Sequence, residues 1–164
     1  MKKQFYNLIA TLGILTIFGN ISPAVSATSS AKLIAQKTIV QNPAEDLFNS
    51  GLAKSETGDF QGAIADYTEA IRLNPNYAQA YNKRGIIHGR NLKNYPAAKA
   101  DFDRAIEINP NYGDAYYNRA RVREFLEDNA GAIGDYQKAA ELYQKDGNIK
   151  DYKDAIKHLQ ILQK

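Results

Sequence analysis

The chain has 164 residues, 44% hydrophobic and 24% charged, with a formal net charge of +3 and no cysteine. These fractions are those of an ordinary globular domain and exclude a wholly disordered chain. The missing cysteine excludes a disulfide framework, a thiolate zinc site, a cysteine nucleophile and a thioether lipid anchor.

Lys2 and Lys3 precede a mostly apolar stretch from Leu8 to Ile21, which Pro23 breaks before the small residues of Val25-Ser26-Ala27. That order predicts a secretory signal peptide over residues 1–27, cleaved after Ala27. The alternative is an uncleaved membrane anchor, for which the apolar stretch is short, since a span needs about 20 residues. The expected location is therefore outside the cytoplasm: the periplasm, another extracytoplasmic lumen, or the medium. Residues 1–27 hold two lysines and no acid, so the chain without them carries a formal charge of +1. This leaves no concentrated basic surface for nucleic acid. Residues 28–43 show no sustained period and read as a flexible linker. A strand around Thr38–Val40 has no support.

From Ala44 onward the sequence repeats. Ala63-Ile64-Ala65-Asp66-Tyr67 through Asn74-Pro75-Asn76-Tyr77 returns as Ala98-Lys99-Ala100-Asp101-Phe102 through Asn109-Pro110-Asn111-Tyr112. A third copy follows in Ala132-Ile133-Gly134-Asp135-Tyr136 through Leu142. The aromatics Tyr67, Phe102 and Tyr136 stand 35 and 34 residues apart. In each copy an alanine, an aromatic four residues on, a second alanine three further and a branched aliphatic three further still share one helical face. Upstream of each lies a second helical segment pairing a large residue with a very small one: Leu47 with Gly51, Tyr81 with Gly85, Tyr116 with Ala120. Such pairs let two helices approach closely.

On these residues the sequence resembles the tetratricopeptide repeat, a helix–turn–helix unit of 34 residues. The units are 44–77, 78–112 and 113–144. The resemblance implies an all-α fold, a right-handed superhelical α-solenoid of three units, closed by a capping helix over 147–164. The second unit carries one extra residue, placed at Asn91-Leu92-Lys93-Asn94, before Pro96 restarts the helix. The third lacks the junction proline and has Ala120 where the others have Gly. Its second helix is expected to run on toward Gly147. Helix starts are predicted at Asn42, Asn76 and Asn111, each three residues before an acid or amide. The final segment from Lys150 aligns Tyr152, Ala155, Ile156, Leu159 and Leu162 on one stripe, as a cap for an otherwise wet apolar end.

The resemblance further implies that the first helix of each unit lines a concave groove for an extended or helical peptide. Carried onto this chain, the groove positions are Glu45, Phe48, Asn49, Leu52 and Glu56, then Gln79, Asn82, Lys83, Ile86 and Arg90. The third unit adds Asp114, Tyr117, Asn118, Arg121 and Phe125. Asn49, Asn82 and Asn118 suit the backbone of a bound peptide, Leu52, Ile86, Tyr117 and Phe125 its apolar side chains, and Arg90 and Arg121 its acids. Chaperone-binding members grip a C-terminal carboxylate with Lys, Arg and Asn residues. The corresponding positions here are Phe48, Leu52, Lys83, Asp114 and Asn118, of which only Lys83 is basic, and Asp114 would repel an anion.

Nothing in the sequence points to catalysis or a cofactor. His88 and His158 are separated by 70 residues and make no local metal spacing, and the HExxH, GxSxG and P-loop patterns are missing. Asp66, Asp101 and Asp135 recur with the repeat and read as architecture. Tyr77 and Tyr112 read as junction packing rather than base-stacking platforms, which would need a basic groove. The expected function is an exported scaffold that binds an unidentified protein or peptide, for instance during assembly of an envelope complex. A membrane-tethered structural factor or, more remotely, a small enzyme are the alternatives. Self-association through the first unit stays open, because only Thr38–Pro43 covers that end.

Overall fold

The computed structural model describes residues 42–164. The signal peptide, its cleavage point, all but the end of the linker and the Thr38–Val40 segment lie outside the described residues. Among the described residues seven α-helices follow in chain order: α1 (Pro43–Glu56), α2 (Phe60–Leu73), α3 (Ala78–Ile86), α4 (Tyr95–Ile108), α5 (Gly113–Phe125), α6 (Asn129–Lys145) and α7 (Ile149–Leu162). A π-helical turn, Ile87–Asn91, extends α3. Short connections make sequential helices antiparallel neighbours, α1 on α2, α3 on α4 and α5 on α6, with α7 closing against α6. This is the arrangement of three helix–turn–helix units and a cap that the repeat predicts.

One contact is repeated in every unit. Tyr67, Phe102 and Tyr136, on the second helix of each pair, are almost completely buried. They lie against a very small residue of the first helix, Gly51, Gly85 and Ala120 in turn. A Cβ placed on Gly51 would come within 2.6 Å of the Tyr67 ring, and one on Gly85 within 2.8 Å of Phe102. The flanking alanines Ala63, Ala70, Ala98, Ala105, Ala132 and Ala139 are fully enclosed, so the helix backbones close around the ring.

The residue before each aromatic is an aspartate that reaches back to the first helix. Asp66 accepts from Ser50 at 2.6 Å and pairs with Lys54 at 2.7 Å. Asp101 is held by Arg84 through two bonds of 3.0 and 2.7 Å. Asp135 is held by Arg119 at 2.8 and 2.6 Å and by Arg123 at 2.8 Å. Two of these arginines also reach the preceding unit: Arg84 donates to Thr68 at 2.9 Å and Arg119 to Asp103 at 2.8 Å. Asp101 and Asp135 are buried, and removing one partner of such a pair strands a charge at a cost of about 3–5 kcal/mol. The recurring aspartates are architecture, as their period predicts.

The turns inside the pairs, and the one before the cap helix, also share a design. Gly58, Lys93, Glu127 and Gly147 adopt left-handed backbone, with φ of +86°, +57°, +60° and +71°. The next residue caps the following helix: Asp59, Asn94, Asp128 and Asn148 accept from the backbone N–H of Gly62, Ala97, Gly131 and Asp151. The capping roles assigned to Asn42, Asn76 and Asn111 are corrected. Asn42 occupies the cap position of α1, but its side chain donates to Glu45 at 3.1 Å instead of accepting from the helix. Tyr77 and Tyr112 hold the other two cap positions, one residue later than expected. Asn76 and Asn111 instead give their N–H groups to the side chains of Asn74 and Asn109, both at 3.1 Å. The two asparagines of each Asn-Pro-Asn-Tyr junction are used to close the proline turn, which leaves neither for the helix.

The extra residue of the second unit is absorbed earlier than 91–94. The N–H of Leu92 bonds the Ile87 carbonyl at 3.1 Å, five residues back, which is the π-helical step. Lys93 and Asn94 thereby keep the same turn geometry as Glu127 and Asp128. In the third unit α6 runs to Lys145 and Gly147 ends it, as its lost proline implies.

Gly85→Ala is expected to destabilise the fold by about 1–3 kcal/mol, because the added methyl overlaps Phe102 in a filled core. Gly134 has open space around its Cβ position, so Gly134→Ala is expected to be neutral or to stabilise by up to about 1 kcal/mol. Urea unfolding midpoints of the two variants test the contrast.

Candidate peptide groove

The first helices of the second and third units, α3 and α5, lie side by side, and the π turn of α3 borders the space between them. A cleft of about 280 Å³ opens there. Its walls are Ile86, Arg90 and Lys93 on one side and Asn118, Arg121 and Phe125 on the other, with Tyr95 at the end. Gly85, Gly89, Phe102 and Val122 complete its lining. A second cleft of about 260 Å³ adjoins it, bordered by Asp114, Tyr117, Tyr143, Lys150, Asp151 and Asp154. Arg90, Asn118 and Arg121 line both, so the two form one continuous groove.

Of the residues carried over from the resemblance, Ile86, Arg90, Tyr117, Asn118, Arg121 and Phe125 are brought together here. The first-unit residues are not among the lining. Phe48 packs 5.7 Å from Tyr67 and 4.9 Å from Tyr77, and with the half-buried Leu52 it belongs to the cluster under the first unit. Asn49 is exposed and Lys83 half-buried, and neither borders a cleft.

Asn82 requires a correction. It is 1% exposed, donating to the Tyr112 hydroxyl at 3.1 Å and accepting from Asn118 at 3.1 Å. Its amide is thus spent inside the protein, tying α3 to α5, and is not offered to a peptide backbone. Asn118 reaches the groove wall from the other end of that link.

Residues missed from the sequence come from outside the first helices. Lys93 belongs to the turn after the π step, Tyr95 is the first residue of α4, Tyr143 belongs to the extended α6, and Lys150, Asp151 and Asp154 to the cap helix. Tyr95 stacks on Phe125 with ring centroids 4.7 Å apart and planes 6° from parallel. Phe125 remains 59% exposed, an apolar shelf at the groove edge.

The electrostatics of the groove differ from those of the framework. Arg72, Arg84, Arg104, Arg119 and Arg123 all have carboxylate partners. Arg90 and Arg121, the other two arginines, have none among the described residues. At the opposite end, Asp114 accepts from the buried Tyr143 hydroxyl at 2.8 Å, and Asp151 and Asp154 share Lys150. Burial and then Asp114 push the Tyr143 hydroxyl well above its ordinary 10.0, so it stays a donor. Beneath Tyr117, the Tyr136 hydroxyl donates to Glu124, while His158 stacks on the Tyr136 ring at 4.9 Å. His158 also stands 3.4 Å from Glu124, so this cluster joins α7 to the third unit.

Two family models match the chain, one described as TPR repeat over residues 51–91 and one as tetratricopeptide repeat over residues 76–145. The chain is a tetratricopeptide-repeat protein. Comparison with curated proteins gives no match. Among solved structures, this TPR protein is similar to the first TPR of Spaghetti (RPAP3) bound to an HSP90 peptide. The identity is 26% and the TM-score 0.66, covering 74% of this chain and 90% of that one. It is also similar to the TPR2B domain of yeast Sti1 in its pHsp70 complex, at 25% identity and a TM-score of 0.69, covering 74% and 96%. The Arabidopsis OM64 TPR domain is 29% identical with a TM-score of 0.64, covering 72% and 94%.

The framework carboxylates set the acid limit of the fold. Burial raises the Asp66 and Asp103 carboxyls, but hydrogen bonds from Lys54 and Ser50, and from Lys99 and Arg119, outweigh it and hold both below their ordinary 3.8. Their folded-state values lie below the unfolded ones, so their stabilisation is complete above about pH 4 and is lost as pH falls through the folded values. Stability measured by urea unfolding is expected to fall as the medium is acidified below about pH 4. Asp103→Asn is expected to make that fall shallower.

Proposed function

We propose that this TPR protein is a non-catalytic scaffold that holds a peptide segment of another protein in the groove between α3 and α5. One observation carries the reading: two clefts joined through Arg90, Asn118 and Arg121, combining exposed apolar surface with charged side chains left free of the framework. Such a mixture suits an extended or helical segment, with backbone and side chains both engaged. The peptide complexes of the Spaghetti and Sti1 domains support a binding role for the fold.

Capture of a chaperone C-terminus is not carried over. Of the clamp positions, Phe48 and Leu52 pack into the first unit, and Asp114 adds negative charge where an anion would sit. An in vivo crosslink from a photoreactive residue at Ile86 is the test, with Glu69 on α2 as the control. A discrete protein adduct at Ile86 and none at Glu69 is expected. The same adducts at both positions, or none at Ile86, would sink the groove reading.

The proposed setting is outside the cytoplasm, in assembly of an envelope complex, and rests on the charge, apolar stretch and small-residue pattern of residues 1–27. N-terminal sequencing of the protein isolated from its cells is expected to begin at Thr28. A chain that retains Met1 and fractionates with membranes would instead favour the tethered structural factor.

A further inference from the structure

We propose that the cleft beside the π turn selects an internal segment of a partner protein in which an acidic side chain lies next to a large apolar one. The proposal rests on the groove reading above and names its ligand chemistry. Five of the seven arginines are committed to carboxylates within the fold, whereas Arg90 and Arg121 face the same cleft without one among the described residues. Lys93 adds a third cation. Arg121 is half-buried, so its hydration is incomplete and a carboxylate would replace it with charge-assisted hydrogen bonds. Immediately beside these cations, Ile86 and the exposed part of Phe125, whose ring is braced by Tyr95, offer an apolar seat. An exposed aromatic next to unpaired arginines is the composition of a binding hot spot.

Direction follows from the neighbouring cleft. Beyond the shared arginines, Asp114, Asp151 and Asp154 outnumber Lys150 there, so the segment carries its acid at the π turn and a neutral or basic residue toward α7. Because the groove continues past the arginines, the carboxylate is a side chain within the segment and not a chain terminus. This chain's own N-terminal segment is not the occupant, because residues 1–44 contain no Asp or Glu to place between the arginines; the proposed occupant is a partner protein.

The test is selection of phage-displayed random dodecapeptides, fused through their C-termini, on the full chain and on the Arg90→Glu/Arg121→Glu double variant. Circular dichroism and urea midpoints establish that both are folded, and Arg121→Gln serves if the double variant is not. Wild-type selection is expected to enrich Asp or Glu directly beside Leu, Phe or Tyr. Binding of the amidated winning peptide is expected to weaken at least about tenfold on Glu→Gln or Asp→Asn in the peptide, and with rising salt. The double variant is expected to select Lys or Arg at that position, and Arg121→Gln to lose the acid preference. Peptides enriched without an acid, or an unchanged acid preference in the variants, would overturn the proposal. If such peptides still lost binding on Ile86→Asp, the groove reading would survive it. Failure to enrich any peptide would overturn both.

Discussion

The contact on which the rest of the structure depends is the aromatic ring of each second helix pressed against the missing side chain of the first. Tyr67 on Gly51 and Phe102 on Gly85 leave no room for a Cβ. That closeness sets the helix spacing, and the spacing puts the preceding aspartate within reach of the partner helix. Asp101 and Asp135 are buried because the helices are close, and they are tolerable there because Arg84 and Arg119 meet each with two hydrogen bonds. Packing and electrostatics are therefore consecutive consequences of one small-residue position. The third unit shows how far this can relax, since Ala120 is fully buried and Tyr136 remains enclosed.

The architecture was legible because each unit repeats the same coordinated positions at one period. A helical face seen three times carries far more information than one seen once. Turn chemistry was less legible. Each Asn-Pro-Asn-Tyr junction offers two asparagines, and only the backbone path shows that both serve the proline turn. The caps that do operate, Asp59, Asn94, Asp128 and Asn148, follow left-handed residues, two of which are Lys93 and Glu127 and carry no glycine signal. The inserted residue was evident from the 35-residue spacing, but not that a helix would take it up as a π turn.

The groove was legible by halves. Helical register grouped Ile86, Arg90, Tyr117, Asn118, Arg121 and Phe125, and these line the adjoining clefts because α3 and α5 are neighbours. It misjudged Asn82, since register gives the direction of a side chain but not what covers it, and here Tyr112 and Asn118 do. Lys93, Tyr95 and the acids of α7 escaped because they enter from a turn, from the start of a second helix and from a helix outside the repeat. Their contribution depends on where the chain returns in space, which no period encodes.

The bonds between successive units are unequal. The first and second are joined by Arg84 to a threonine hydroxyl, whereas Arg119 ties the third to a carboxylate of the second. Each unit touches chiefly its neighbours, so such an array can open joint by joint from its weaker end. The weaker joint lies before α3, and both clefts lie beyond it, on α3, α5 and α7. The joint is not purely polar, however, because Ile87 of the π turn, between the wall residues Ile86 and Arg90, is buried against Ala63 and Tyr67 of the first unit. Loosening of the first unit would therefore be felt at the π turn, which couples the end of the array to the groove wall.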